Sequence, residues 1–352
     1  MLPSDRPDRL ALPFAILSNA AGIAEQYGQR TLSQVIYREN KMRVLHYQPR
    51  VPRPYPIPLV MTAPIIMPHY IMDLRPGKSL VEYLVARGLD VFMIDWGVAA
   101  EADRFDTLDD YVVRYLKHAV QAVCQMTHAS QVTLHGYCQG GLLAILFAAL
   151  YPQRVRNLVS QTGPVNFHDD GIFSLWTRQL NVDLLVDTLG NIPGEMLRAS
   201  FQMVNPTGAL AQTLRYCERV ADEEYVRDYV ALNTWLNDVV PLPGELFRQF
   251  IKDLYQRNLL VQGQFEIAGT RVDLRQITCP VLTLTSEKDH VVPWKSAAVL
   301  NDLVSSRDKQ LLVLKGGHLG MTIGRDAWNE LWPALAHWLI QRSTEERNSR
   351  DA

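Results

Sequence analysis

Three side chains have the chemistry to carry an acyl group through a covalent intermediate. Cys138 is the centre of Gly136-Tyr137-Cys138-Gln139-Gly140-Gly141, with a β-type run (Gln131–Leu134) before it and an apolar helical run (Gly141–Leu150) after it. A nucleophile at such a strand-to-helix corner sits on a strained, exposed tip, and glycines on either side keep side chains out of a space where backbones crowd. A thiol there also lies at a helix start, whose dipole and free N–H groups favour thiolate. The bland alternative is a structural cysteine buried in a glycine turn.

A thiol nucleophile needs a base, and the base an orienting carboxylate. Ser286-Glu287-Lys288-Asp289-His290 follows one apolar strand (Val281–Thr285), and Lys315-Gly316-Gly317-His318 follows another (Leu311–Leu314). Parallel strands end on one edge of their sheet, so Cys138, Asp289 and His318 can meet there despite their separation in sequence. Glu287 is the rival acid; Asp289 is preferred because it sits deeper in the turn, where a short side chain can be fixed beneath an imidazole. His290, beside the acid, is a candidate substrate contact. The remaining histidines read as surface or packed residues, with His135 under the elbow. A tetrahedral intermediate needs two N–H donors. Gln139 supplies one, and the loop Ala63–Pro68 the other, with Ile66 the expected donor.

The elements that must position these groups alternate. Residues Leu10 to Tyr37 carry apolar residues at helical intervals. Strands are expected at Met42–Tyr47, Leu59–Thr62 and Leu89–Trp96, and helices at Ser79–Arg87 and Thr107–His128, the latter capped by Thr107 and Asp110. Another strand, Val155–Gln161, follows the elbow helix. Such alternation implies an α/β architecture, a mostly parallel sheet with helices on both faces. The regularity lapses from Pro164 to Gly269, too long for a simple connection, so this stretch is expected to be an inserted cap. The expected division is 1–163 and 270–343 as the two parts of the core, 164–269 as the cap and 344–352 as a frayed tail. Phe167, Phe173, Leu175, Trp176 and Leu180 are expected to make a dry entrance.

With 35 basic and 37 acidic residues the formal charge is −2, so no field of one sign recruits nucleic acid. Four widely spaced cysteines, with no C-x-x-C pair, exclude zinc and dithiol motifs and suggest a reduced compartment. No metal and no cofactor are expected. Met1–Arg9 lack the basic-then-apolar order of a secretory signal, and no apolar run reaches the length of a transmembrane helix. The expectation is a cytoplasmic protein.

On these residues the chain resembles the polyhydroxyalkanoate synthases, in their short third and fourth classes. The likeness rests on Gly136–Gly141, on Asp289-His290-Val291-Val292-Pro293-Trp294 and on Gly316-Gly317-His318, with support from Tyr70–Pro76, Ile94–Gly97 and Gly190–Gly194. Met67 stands where the family usually has asparagine, and Trp294 is more like the longer classes. The resemblance implies an α/β-hydrolase fold with a cap, and Cys138, Asp289 and His318 as nucleophile, acid and base. It also implies polymerisation of (R)-3-hydroxyacyl-CoA, such as 3-hydroxybutyryl-CoA, with release of CoA. Expected partners are the growing polyester and its granule surface, a small partner synthase subunit and a second copy in a homodimer.

Sulfur suits that chemistry. Acyl transfer from a CoA thioester to a thiol exchanges one thioester for another, so the acyl group stays activated for downhill transfer to a hydroxyl. The competing reading is a thioesterase, dienelactone-type hydrolase or intracellular polyester depolymerase, which differs only in using water as acceptor.

Overall fold

The structure, a computed structural model, describes residues 30–169 and 171–343. Its centre is an eight-stranded sheet: β1 (Ser33–Glu39), β2 (Met42–Tyr47), β3 (Leu59–Thr62), β4 (Val91–Asp95), β5 (Val132–Tyr137), β6 (Val155–Gln161), β7 (Val281–Ser286) and β8 (Lys309–Leu314). They lie side by side as β1-β2-β4-β3-β5-β6-β7-β8. The strands from β4 to β8 run parallel, while β2 is antiparallel to β4 and to β1.

Every residue of β3, β4, β5 and β7 is buried. Successive side chains point to opposite faces of a strand, so burial of all of them means that both faces of the sheet are covered. The edge strands β1 and β8 are partly exposed. The reading of Leu10–Tyr37 as helical is corrected over its last part: Ser33–Tyr37 belongs to β1, paired antiparallel with β2 around a bulge at Ile36. The apolar spacing there is that of a half-exposed edge strand, which a short window does not separate from a helix. Residues 10–29 lie outside the described residues.

The helix from Leu108 to Thr127 opens through a π-type turn, Asp110–Leu116. Asp110 Oδ2 accepts from both the N–H and the hydroxyl of Thr107, so the acid end of the expected cap forms. The helix Gln139–Leu150 is buried along one continuous stretch, Gly140 to Ala149, without a polar face. A helix apolar all round can only be interior, and this one lies against β5 and β6.

Between β6 and β7 the described residues form six helices: Ile172–Thr177, Val182–Leu189, Gly194–Val204, Pro206–Glu218, Glu223–Asn237 and Gly244–Gln249, the last continued by a π-type turn, Phe250–Gln256. This helical segment, which spans the expected cap, is clasped to the chain after β3. Val240 N–H donates to Ile66 O (3.0 Å), the Trp235 indole N–H to Pro68 O (2.8 Å), Tyr70 O–H to Asp238 (2.8 Å), and Arg75 reaches Asp228 and Glu224.

Candidate active site

Cys138 lies at the carboxyl end of β5 with φ 56° and ψ −121°, a conformation that costs a non-glycine residue of order 1–3 kcal/mol. Its neighbours explain how the strain persists. A Cβ on Gly136 would land on the carbonyl of Gly140, and one on Gly140 would land on the carbonyl of Thr62 at the end of β3. One on Gly141 would lie 2.7 Å from Gly163 Cα. Three backbone segments therefore meet around the corner at distances only glycine permits. The Cys138 N–H donates to Gln161 O of β6 (2.9 Å), and the thiol remains partly accessible.

Asp289 and His318 come to the same edge from the turns after β7 and β8. Asp289 Oδ1 accepts the N–H groups of Val291 and Val292 (2.9 and 2.8 Å), which leaves Oδ2 for His318 Nδ1 at 2.7 Å. The other imidazole nitrogen is left for Cys138, which lies within hydrogen-bonding reach. Burial alone would lower the His318 pKa, but the Asp289 carboxylate and the Cys138 sulfur outweigh it and raise the value to about 10. A protonated imidazole beside the sulfur is thus favoured, as an ion-paired nucleophile requires. Glu287 is exposed, and Asp289 alone of the two carboxylates bonds the imidazole among the described residues.

Gln139 begins the elbow helix, and its side-chain Oε1 accepts from Ile65 N–H (3.1 Å). The loop after β3 is therefore fastened to the elbow one residue before Ile66, whose carbonyl is turned to Val240 of the cap. The Trp96 indole N–H donates to Ala63 O (3.0 Å) and braces the same loop from the end of β4. His290 is exposed and lines, with Asp289, Gly171, Ile172, Val204 and Pro293, a cavity of about 350 Å³ between the acid turn and the cap. His135 is fully buried, its pKa pushed down to about 4 by burial against a weaker opposing effect from Gln161. It is a neutral packing residue, its Nε2 2.9 Å from Gln161 Oε1.

The expected entrance residues divide. Phe167 is buried and packs edge-on against Phe250 and Tyr255 (5.7 and 4.9 Å between ring centroids). Leu175 and Trp176 are 55% and 40% exposed and do not form the screen. They fall on the outward side of a six-residue helix whose buried residues are Ser174 and Thr177, an inversion that composition does not reveal. Phe173 packs on Trp176 and Phe201, and Leu180 only borders the core. Burial raises the pKa of the Tyr255 phenol, and the charges of Cys138 and Asp169 add to it. The position of Tyr255 in a π-type turn more than 100 residues from Cys138 left no local signal in the sequence.

Comparisons with known proteins bear on this geometry. Residues 72–322 match the family model for the alpha/beta hydrolase fold, and residues 25–84 match that for the N-terminus of poly-beta-hydroxybutyrate polymerase (PhaC). The chain is 36% identical over 337 residues to a poly(3-hydroxyalkanoate) polymerase subunit PhaC of Synechocystis sp., covering 93% of this chain and 89% of that one. It is 37% identical over 313 residues to the protein of that name in Allochromatium vinosum, covering 88% of each. Among solved structures it resembles a monoacylglycerol lipase of Paleococcus ferrophilus (TM-score 0.54, 16% identity, 82% of this chain and 96% of that one). It also resembles a thermophilic esterase of Thermogutta terrifontis (TM-score 0.51, 14% identity, 90% and 100%). Identities that low speak for the fold alone. The extended matches above 30% identity, joined to a cysteine elbow on this sheet, establish that the chain belongs to the poly(3-hydroxyalkanoate) polymerase subunit PhaC family, on the alpha/beta hydrolase fold.

Proposed function

We propose that this chain polymerises (R)-3-hydroxyacyl-CoA, of which 3-hydroxybutyryl-CoA is the representative short-chain substrate, into polyhydroxyalkanoate with release of CoA. The observation that carries the reading is a cysteine, rather than a serine, at the elbow of a chain related over nearly its whole length to proteins named as that polymerase.

In the first step the Cys138 sulfur attacks the thioester carbonyl. The CoA sulfur leaves as the carbonyl re-forms, and His318 holds the thiol's proton and returns it to the leaving thiolate. Asp289 fixes the imidazole and supports its charge. In the second step His318 takes the proton of a chain-end hydroxyl, whose oxygen attacks the Cys138 thioester to give an ester and a free thiol. The Gln139 N–H and one N–H of the Ala63–Pro68 loop, Ile66 in our assignment, receive the developing oxyanion. His290 contacts the incoming substrate at the cavity it lines. The cap, residues 164–269, excludes water with Phe167, Phe250 and Tyr255, since water would release free acid from the same intermediate. No cofactor enters either step.

We place the protein in the cytoplasm at the polymer granule, as a homodimer working with a small partner subunit. Among the described residues no helix is long and apolar enough to cross a membrane. The test is purified protein supplied with 3-hydroxybutyryl-CoA, following free thiol and sizing the product, with and without candidate partner subunits. Polymer accounting for most of the acyl groups is the expected result. Monomeric 3-hydroxy acid released in step with CoA under every condition would replace the polymerase by a hydrolase.

A further inference from the structure

His318 has a long way to reach. Its strand, β8, lies three places from β5 in the sheet, with β6 and β7 between them, so at about 4.8 Å per strand the imidazole must cross roughly 14 Å to meet the elbow thiol. The segment that carries it, Lys315-Gly316-Gly317, has no side chain of its own to anchor the crossing beyond an exposed lysine. Asp289 holds the ring from the β7 side. Something must also hold it at the far end.

Tyr137, the residue before the nucleophile, is placed to do so. Its side chain is fully buried, and its ring lies against the His318 imidazole, with centroids 5.2 Å apart and planes 28° from parallel. Its hydroxyl donates to His318 O (3.3 Å) and also engages the Thr322 side chain. The Gln161 side-chain amide donates to Thr322 Oγ1 (3.1 Å) and Met321 O (3.3 Å), while its backbone carbonyl accepts the Cys138 N–H (2.9 Å). Two buried residues, from β5 and β6, thus grip both the nucleophile's backbone and the turn that follows the base.

We propose that Tyr137 is a positioning residue for the base: its ring is the platform on which the His318 imidazole rests beside Cys138, and its hydroxyl, with Thr322 and Gln161, locks the loop that brings the imidazole there. The face of a phenol ring carries negative potential, so a stacked imidazole is better held in its charged form. The titratable groups acting on that imidazole are Asp289 and Cys138, with Tyr137 against its face; beyond them, the Tyr255 phenol is coupled electrostatically to Cys138. The inference rests on the assignment of Cys138 and His318 as nucleophile and base, and its test does not require polymer to be made.

The measurement is the pH profile of Cys138 alkylation by iodoacetamide, read by mass spectrometry of the Cys138 peptide so that the other three thiols do not interfere. The wild type should alkylate well below the pH at which an isolated thiol does, and His318→Gln should abolish that low-pH limb. Tyr137→Leu should move the midpoint up by about one pH unit, a roughly tenfold slower reaction at pH 6. Tyr137→Phe keeps the platform and loses only the lock, and should slow the reaction about threefold at that pH, less than Tyr137→Leu does. A folded Tyr137→Leu protein with the wild-type profile overturns the proposal. Should Tyr137→Leu not fold, Thr322→Val decides: loss of the shared hydroxyl should slow alkylation about threefold at pH 6, a loss smaller than that of one charged hydrogen bond, and an unchanged rate overturns the proposal. A wild-type profile indifferent to His318→Gln would remove the base itself, an outcome distinct from failure of Tyr137 alone.

Discussion

The elbow helix and the first cap helices are both rich in apolar residues, and they use them in opposite ways. Gln139–Leu150 turns ten consecutive residues inward and is gripped by strands on the sheet it covers. The cap turns Leu175, Trp176, Leu184, Leu189, Met196, Met203 and Leu214 outward and is held to the loop after β3 by a few polar clasps. Burial on every side of the elbow helix fixes the Cys138 corner by steric exclusion, because the backbones around it admit only glycine at 136 and 140. The cap adds to these clasps an inner apolar side, with Val186, Trp235, Leu246 and Phe250 in the buried core, so it has one packed face and one free face. On the proposed reading, the reacting atoms are set by the first kind of region, and access to them by the second.

The sharpest way to break this contrast is at the elbow. Cys138→Ala should abolish CoA release, since no other group at the corner can carry the acyl chain. Alanine at Cys124, Cys217 or Cys279 should leave turnover within a few-fold of wild type. Cys124 is buried in packing, Cys279 has its thiol pushed up to about 12 by burial, and Cys217 lies on the cap surface. CoA release by Cys138→Ala at a normal rate would remove the nucleophile. Next in size are His318→Gln and Asp289→Asn, each expected to lower turnover by about 10³–10⁴ with the fold intact by circular dichroism. Rapid quenching separates the steps: normal acyl-enzyme formation in His318→Gln would place the base elsewhere.

Much of this edge was legible in sequence, and the reason is local. The glycines around Cys138, the apolar runs of β5 and β7 and the polar turns after β7 and β8 each express their structure within a few residues. Sheet topology does the rest, since parallel strands deliver their ends to one place. Tyr137, Gln161 and Tyr255 were not legible, because their roles arise from interactions between residues far apart in sequence, such as Tyr137 with His318, 181 positions apart. Residues Leu175 and Trp176 misled for the complementary reason. An apolar residue on a short helix near a site reads as lining until the helix's rotation is known. The same ambiguity hid β1, whose pairing with β2 overrides a helical spacing.

Two histidines sharpen the contrast within the core through opposite dependences on pH. His318, raised to about 10, stabilises the fold through its charged form; the contribution is complete below the unfolded value near 6.5 and is lost as pH rises through about 10. The stability gap between wild type and Asp289→Asn should therefore be widest below pH 6.5 and narrow towards pH 10 in urea titrations. His135, lowered to about 4, works the other way. As pH falls from 6.5 to 4 the unfolded chain gains a proton there that the folded chain refuses, a loss on the order of 3 kcal/mol. His135→Gln should flatten that acid limb, and an unchanged limb would show that other groups set it.

The smallest effects on turnover belong to the cap, and there the comparison is tested from the side of access. Phe167→Ala removes a buried ring packed edge-on against two others, and should cost about 3–5 kcal/mol while raising the share of acyl groups released as free acid. Leu175→Ser with Trp176→Ser exchanges mostly exposed apolar surface for polar surface and should cost about 1 kcal/mol, chiefly the Trp176 ring's contact with Phe173. If the screen over Cys138 is built from the inward ring cluster alone, the double variant should also keep the wild-type ratio of polymer to free acid with soluble 3-hydroxybutyryl-CoA. The thioester on Cys138 is then no more open to water than before, whatever the outer face of the helix meets. A rise in free acid as large as that from Phe167→Ala would mean that Leu175 and Trp176 turn inward when substrate is bound, and the division between an inner screen and an outer face would have to be given up.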